Sequence, residues 1–290
     1  MRQIRRFIVW TLLTAALTAA CADEEKVGPP DEPMPTYPLT PFSAICLSET
    51  MDNDAFLPVT SIQTYRFTEG RISGLHNRQL IDLGDETLEM EQRTDVSYDD
   101  FEAVVTEESG STLTYTLNRQ GYATQCIYLT PGGSARRYTF SYHTDAEGCI
   151  HLTELTERLG EEGEEVYAYL RIDYSNYPTL KINQTIGGQS AGYTATADQS
   201  ATLLNRSELP DLFLSELHPL AMHHVALYGK WLGEPLDNLM THITPDGNGE
   251  SDYTEQSYDT DGRGYVTGCT QITHSHGKRY ERTIQYQLSE

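Results

Sequence analysis

The stretch Thr112-Leu113-Thr114-Tyr115-Thr116-Leu117-Asn118-Arg119-Gln120-Gly121-Tyr122-Ala123-Thr124-Gln125-Cys126 decides the fold. Leu113, Tyr115 and Leu117 alternate with threonines, a period of two that turns apolar side chains to one face of a strand and hydroxyls to the other. The alternation breaks at Asn118. An Asn at the first turn position accepts a hydrogen bond from the backbone two residues on, and Gly121 can take the left-handed conformation without steric cost. Strand, short turn and second strand make a hairpin.

The unit recurs. Tyr258, Asp261, Gly264, Tyr265 and Cys269 repeat the key places of Tyr115, Asn118, Gly121, Tyr122 and Cys126, and Tyr142, Asp145, Gly148 and Cys149 form a shorter copy. Copies starting at 115, 142 and 258 are too irregular for a solenoid or propeller. Tyr138, Phe140 and Tyr142 alternate with Thr139, Ser141 and His143. Val166, Ala168, Leu170, Ile172 and Tyr174 alternate with Tyr167, Tyr169, Arg171 and Asp173, and Tyr280 to Leu288 repeats the pattern near the C-terminus. The expected fold is mainly β: an antiparallel meander of hairpins forming a curled or barrel-like sheet.

One segment departs from this rhythm. Phe213, Leu217, Leu220, His224, Leu227 and Trp231 recur at steps of three and four, the spacing of one helix face. Leu214, Ala221, Val225, Tyr228 and Leu232 form a second apolar stripe. The pattern predicts a short apolar helical insertion at about 207–232, divided by Pro219 into two helices and packed inside the sheet as a plug.

Arg2, Arg5 and Arg6 precede an apolar run from Phe7 to Leu13 that leads to Ala19-Ala20-Cys21, the order of a secretory signal peptide over residues 1–20. That run is too short to cross a bilayer comfortably, where about 20 apolar residues are needed. Leu17-Thr18-Ala19-Ala20-Cys21 resembles a lipobox, with Leu one place further from the cysteine than the commonest pattern. Cys21 is the expected lipidation site, carrying palmitate-type acyl chains that tether the chain to an envelope membrane. Residues 21–41 then form the lipidated N-terminus and a Pro-rich linker, and 42–290 a single β-rich domain.

Removing residues 1–20 removes three Arg and no acids, leaving 17 basic against 43 acidic residues, a net charge of −26. A field of that sign repels phosphate backbones, so nucleic acid is an unfavourable partner. Four cysteines remain beyond Cys21, namely Cys46, Cys126, Cys149 and Cys269, and an oxidising compartment would permit any of three full pairings. Their spacing contains no CxxC, so it supports no zinc cluster.

The lipidated start, the Tyr-x-x-Asp/Asn-x-x-Gly hairpins, the apolar insertion with Tyr228-Gly229-Lys230 and Asp237-Asn238-Leu239, and the Tyr-rich hairpins after it together resemble a Bacteroidetes lipoprotein family. That family is described as a domain of unknown function with porin-like fold. The resemblance spans about residues 42–290 and implies a curled or barrel-like antiparallel sheet; it carries no activity, cofactor or site residue. Within the same phylum, acidic residues just after the lipidated cysteine accompany export to the cell surface. Asp23, Glu24 and Glu25 resemble that export signal, which implies an outer-membrane lipoprotein facing the cell exterior. A membrane-spanning wall is not expected, because Arg171, Asp173, Glu281 and Gln285 lie on faces where lipid would require apolar residues.

Candidate chemistry is sparse. Gly188-Gln189-Ser190-Ala191-Gly192 fits GxSxG, but a nucleophile elbow needs a helix after the turn, and Tyr193-Thr194-Ala195-Thr196 does not start one. His218, His223 and His224 cluster, and His274 and His276 would share a strand face, spacings that could hold a metal but more often serve packing. Asp246, Asn248, Glu250 and Asp252 place oxygens at alternating positions, a weak calcium candidate lacking the glycine and the terminal Glu of an EF-hand. The 19 tyrosines suit strands as well as ligand stacking.

No catalytic residue, metal or cofactor is assigned. The expected function is a non-enzymatic, lipid-anchored envelope or cell-surface module binding a protein or glycan ligand. A structural part of an envelope complex is the alternative, followed by a hydrolase of unusual fold.

Overall fold

The computed structural model describes residues 35–52, 59–160, 165–198, 203–247 and 251–290. Cys21, Asp23, Glu24, Glu25, Asn248 and Glu250 lie outside them. The chain alternates direction through strands β1 (Ala44–Asp52), β2 (Val59–Thr68), β3 (Arg71–Asp82), β4 (Thr87–Asp99) and β5 (Glu102–Glu107). It continues through β6 (Thr112–Leu117), β7 (Ala123–Leu129), β8 (Ala135–Thr144), β9 (Ile150–Leu159), β10 (Glu165–Asn176), β11 (Thr179–Ile186) and β12 (Gln189–Ala197). After the insertion come β13 (Met240–Pro245), β14 (Tyr253–Thr260), β15 (Val266–Ser275) and β16 (Lys278–Ser289). Each strand pairs antiparallel with the next, and β1 pairs β16, so the sheet closes as a sixteen-stranded up-and-down barrel.

The hairpin chemistry read from the sequence holds at all three turns. Asn118 Oδ1 accepts from the N–H of Gln120 and Tyr122 at 2.9 and 3.0 Å, Asp145 Oδ1 from Glu147 and Cys149, and Asp261 Oδ1 from Arg263 and Tyr265. Gly121 sits at φ +84, where a side chain would be strained.

The alternation points inward for apolar residues and outward for polar ones. Leu113, Tyr115, Leu117, Tyr138, Leu155 and Ile182 are buried in the interior. The outer wall carries threonines and cross-strand ion pairs such as Arg66 with Asp95, Arg78 with Glu89 and Arg171 with Glu154. A wall facing lipid would need an apolar band about 25 Å tall, and this wall presents charge instead.

Sixteen strands enclose more space than wall side chains can fill; barrels of that size are wide enough for an aqueous channel. Here the chain between β12 and β13 fills one end. It contains α1 (Leu212–Glu216), a 3-10 turn (Leu220–His223) and α2 (His224–Tyr228). The two sustained helices expected from the periodicity are therefore three short turns, because Pro219, buried partners on several sides and Gly229 end each run early. Trp231 is 1% exposed and meets Tyr98 and Tyr115 edge-on, while Tyr228 stacks on Tyr65 at 3.7 Å between centroids. Gly233 bridges His151 so closely that a Cβ would stand 2.8 Å from the Ile150 carbonyl oxygen.

Residues 35–41 cross the same end. Thr36 N–H donates to the Arg119 carbonyl at 2.9 Å, Tyr37 hydroxyl to the Asp100 carbonyl, and Thr40 N–H to the Gly70 carbonyl. The barrel thus has an insertion end, which also holds the three Asx turns, and an opposite end where the lumen is less filled.

Candidate functional site

The insertion reaches to mid-lumen, and its tip is held to opposite walls by two charged clamps. On one side Glu157, on β9 between Leu155 and Leu159, has a side chain with no solvent exposure. Arg136 Nη1 donates to its Oε1 at 2.6 Å, and His218 Nε2 lies 2.5 Å from its Oε2. Eight strands around the barrel, Arg282 on β16 meets Glu49 on β1 through Nε and Nη2, at 2.6 and 2.9 Å, and Nη1 donates to Glu216 of the tip. Apart from His218, read as one of a histidine cluster, none of these residues was singled out by sequence patterning. The signal was present: each wall residue is a charge at the inward-facing parity of a strand, where an apolar residue belongs.

Between the clamps, on the open side of the tip, lies a cavity of about 190 Å³. Gln63, Asn77, Gln92, Thr94 and Glu107 from β2 to β5 supply its polar lining, and Met222 and His224 of the insertion form its floor. Leu75, Val105 and Leu113 add apolar wall. A smaller space of about 50 Å³ shares Gln63 and His224 with it and runs toward Glu49 and Arg282. Elsewhere the inward positions are mostly apolar; here they carry amides, a hydroxyl and a carboxylate. Asn77 Oδ1 is buried and, among the described residues, no donor reaches it.

The three clustered histidines separate. His218 joins the Glu157 clamp, His224 faces the cavity, and His223 is fully buried with Nδ1 2.8 Å from the Tyr115 hydroxyl and the rings of Tyr138 and Phe140 edge-on. Sequence periodicity placed His224 in the core; the break at Pro219 shifts that position to His223. Burial, then the neighbouring His224 and His218, push the His223 imidazole down to about 3, so it is neutral in the fold. An unfolded His titrates near 6.5, so below that pH the unfolded chain binds the extra proton and the fold loses about 1.4 kcal/mol per pH unit down to about pH 3. Asp211 acts in the opposite sense: burial raises its carboxyl to about 6, so acidification from 6 to 4 favours the fold. The two slopes offset each other between pH 6 and 4, and His223 dominates below. Urea midpoints from pH 8 to 3 should therefore fall more steeply below pH 4 in the wild type than in His223→Asn.

The other candidates scatter. Ser190 lies on β12 with its hydroxyl 2.9 Å from that of Thr185, on the outer wall and far from any elbow geometry. His274 stacks on Tyr253 on the outer wall, whereas His276 falls in the following turn at φ +51, so the two do not share a strand face. Of the calcium candidates, Asp246 accepts from Thr194, and Asp252 Oδ1 accepts from the His276 N–H at 3.0 Å. Among the described residues no group of three or more His, Cys, Asp or Glu is arranged to hold a metal. Cys46, Cys126, Cys149 and Cys269 are all free thiols, with Cys126 and Cys269 buried on strands that face the core. Tyr167, expected to face outward, is the extra residue of a bulge against β9, and its ring meets His218 instead.

Comparison with known proteins adds a family and a fold. The profile of a family described as "Domain of unknown function (DUF4595) with porin-like fold" matches residues 66–268. A crystal structure of a porin-like protein from Bacteroides uniformis is 41% identical, covers 89% of this chain and 100% of its own, and superposes with a TM-score of 0.80. A porin-like protein from Bacteroides vulgatus, 10% identical over 83% of this chain and 97% of its own, shares the fold with a TM-score of 0.54. Among curated proteins, none matches.

Proposed function

Because the chain belongs to this family of porin-like domains, whose sheet is here plugged and polar outside, we propose that it is a non-enzymatic binding module of the cell envelope, tethered through Cys21. In this reading the barrel is a container, and the cavity on the open side of the insertion is its ligand site. Residues 35–41 run across the insertion end, so the tether joins the barrel there, and export signalled by Asp23, Glu24 and Glu25 would place the module on the cell exterior.

The observation that carries the reading is the polar lining of Gln63, Asn77, Gln92, Thr94 and Glu107 at inward positions, with the Asn77 acceptor unmatched by protein. Burying an unpaired amide oxygen costs about 1–3 kcal/mol, a cost that a ligand hydroxyl would remove. The cavity is smaller than the roughly 300–1,000 Å³ of a drug-sized site, so it takes one ring or a chain end. Amides and a hydroxyl that both donate and accept, beside the apolar faces of Leu75, Val105 and Met222, suit a neutral, hydroxylated ligand such as the end of a glycan. Glu107 opposes an anionic one.

Titration of the protein with a panel of neutral mono- and oligosaccharides, followed by saturation-transfer NMR and calorimetry, tests this. At least one sugar should bind, and Asn77→Leu should weaken it tenfold or more, about 1.4 kcal/mol, while leaving the melting temperature unchanged or raised. A lowered melting temperature without any sugar binding would mean that Asn77 serves the fold, and would overturn the reading.

A further inference from the structure

The β3–β4 hairpin extends beyond the barrel wall. β3 and β4 pair from Gly74 with Asp95 to Asp82 with Thr87, but β5 pairs β4 only from Thr94 to Asp99. Among the described residues no strand covers the outer edge of β4 from Thr87 to Gln92, and all six residues are exposed. At about 3.4 Å per residue this leaves roughly 20 Å of unpaired edge. Arg93 N–H and carbonyl both turn toward Glu108 on the β5 side, so by the alternation of an antiparallel ladder the groups of Thr87, Glu89 and Glu91 point to the open edge. Those of Leu88, Met90 and Gln92 bond β3.

The two faces of this edge differ. Leu88 and Met90, 48% and 47% exposed, lie on the lumen side of the rim. Glu89 and Glu91 lie outside, paired with Arg78 and His76 of β3. Natural sheets guard such edges with charge, Pro, bulges or very short strands; residues 87–92 contain no Pro and no Lys, and their only guards are the carboxylates of Glu89 and Glu91, which oppose a like-charged strand and not a basic one. From Gly74 to Asp95 six carboxylates stand against two arginines, Arg78 and Arg93, so the hairpin is net acidic even with Glu89 and Glu91 paired to those arginines.

We propose that the free edge of β4 is a strand-addition site for an extended segment of a partner protein in which basic and apolar residues alternate. Backbone groups of Thr87, Glu89 and Glu91 would supply the main-chain pairing, as in β-augmentation generally. The partner's apolar residues would cover Leu88 and Met90, and its basic residues would meet Glu89 and Glu91. A second copy of this chain is disfavoured: two β4 edges paired about a two-fold at Glu89 would set Glu89 against Glu89, and like charges directly opposite destabilise a sheet.

The probe is the capped hexapeptide Lys-Val-Lys-Ile-Lys-Val, with a control in which Glu replaces each Lys. In the full-length mature protein, hydrogen exchange by NMR should slow at least tenfold at the Thr87, Glu89 and Glu91 amides on peptide addition, with Leu88 and Met90 unchanged, and the Glu control should not bind. Glu89→Pro removes an N–H that β3 does not use, so the barrel should melt as the wild type does while peptide affinity falls at least tenfold. If that variant does not fold, the double variant Glu89→Lys with Glu91→Lys substitutes for it and should bind the Glu peptide and reject the Lys peptide. Unaltered exchange at the three amides under saturating peptide, or equal binding by the edge variants, would overturn the proposal. So would protection of the same amides by raising protein concentration alone, which would make the occupant a second copy. Each readout is independent of sugar binding in the lumen.

Discussion

Replacing Trp231 by Ala is expected to destabilise the domain by about 3–5 kcal/mol, and Leu220→Ala or Leu217→Ala by about 2–5 kcal/mol. All three side chains are buried where the insertion meets the wall. Trp231 carries the larger effect because its indole is the largest of the fully buried side chains and meets Tyr98 and Tyr115 edge-on, contacts that the Ala variant loses. A cavity left by the indole could not collapse, because the closed sheet on every side resists inward movement. Urea unfolding at pH 8 measures the cost. Trp231 is the sole tryptophan after Trp10, so its emission also reports the plug directly in the Leu variants. Near-wild-type midpoints for both Leu variants would mean that the insertion is a lid that lifts, and that the cavity beneath it opens from the insertion end.

Glu157→Ala is the second large effect, expected at about 3–5 kcal/mol, because removing one partner of a buried pair strands the others. Arg136 retains access to water, with its side chain 39% exposed, so part of its charge is re-solvated and the loss should lie toward the lower end. The diagnostic readout is local. Amides of residues 216–224 should exchange faster in Glu157→Ala, since His218 loses its hold on the wall, while the Asx-turn hairpins at the insertion end keep their protection. A double-mutant cycle of Glu157→Ala with His218→Ala should give a coupling of about 0.5–3 kcal/mol. Additivity would show that the clamp positions Arg136 and not the tip. Surface pairs such as Arg66 with Asp95 are expected to contribute under about 1 kcal/mol, being solvated on both sides.

By itself the sequence determined the strands, the hairpin turns and the place of the insertion, which depend on neighbours along the chain. Period-two alternation gave strands, Asn118, Asp145 and Asp261 gave the turns, and the departure from that period marked the insertion. Those hairpins also carried the resemblance that the family match bears out. Local chemistry is enough there because a hairpin closes over a few residues. Closure of the barrel, by contrast, joins Ala44 to Ser289, and nothing in either segment encodes its partner's position. The helical reading failed in detail for the same kind of reason: steps of three and four described which residues are buried, but burial is set by walls on several sides, and three short turns satisfy it as well as two helices. The Glu157 and Arg282 clamps and the polar cavity were visible only as isolated breaks in alternation. Tertiary structure decided their meaning, because a charge at an inward position is stable only when a partner from a distant strand or from the insertion reaches it. His223, next in sequence to His224, became the buried imidazole through a one-residue phase shift that the backbone at Pro219 imposes and that no pattern of hydrophobicity records.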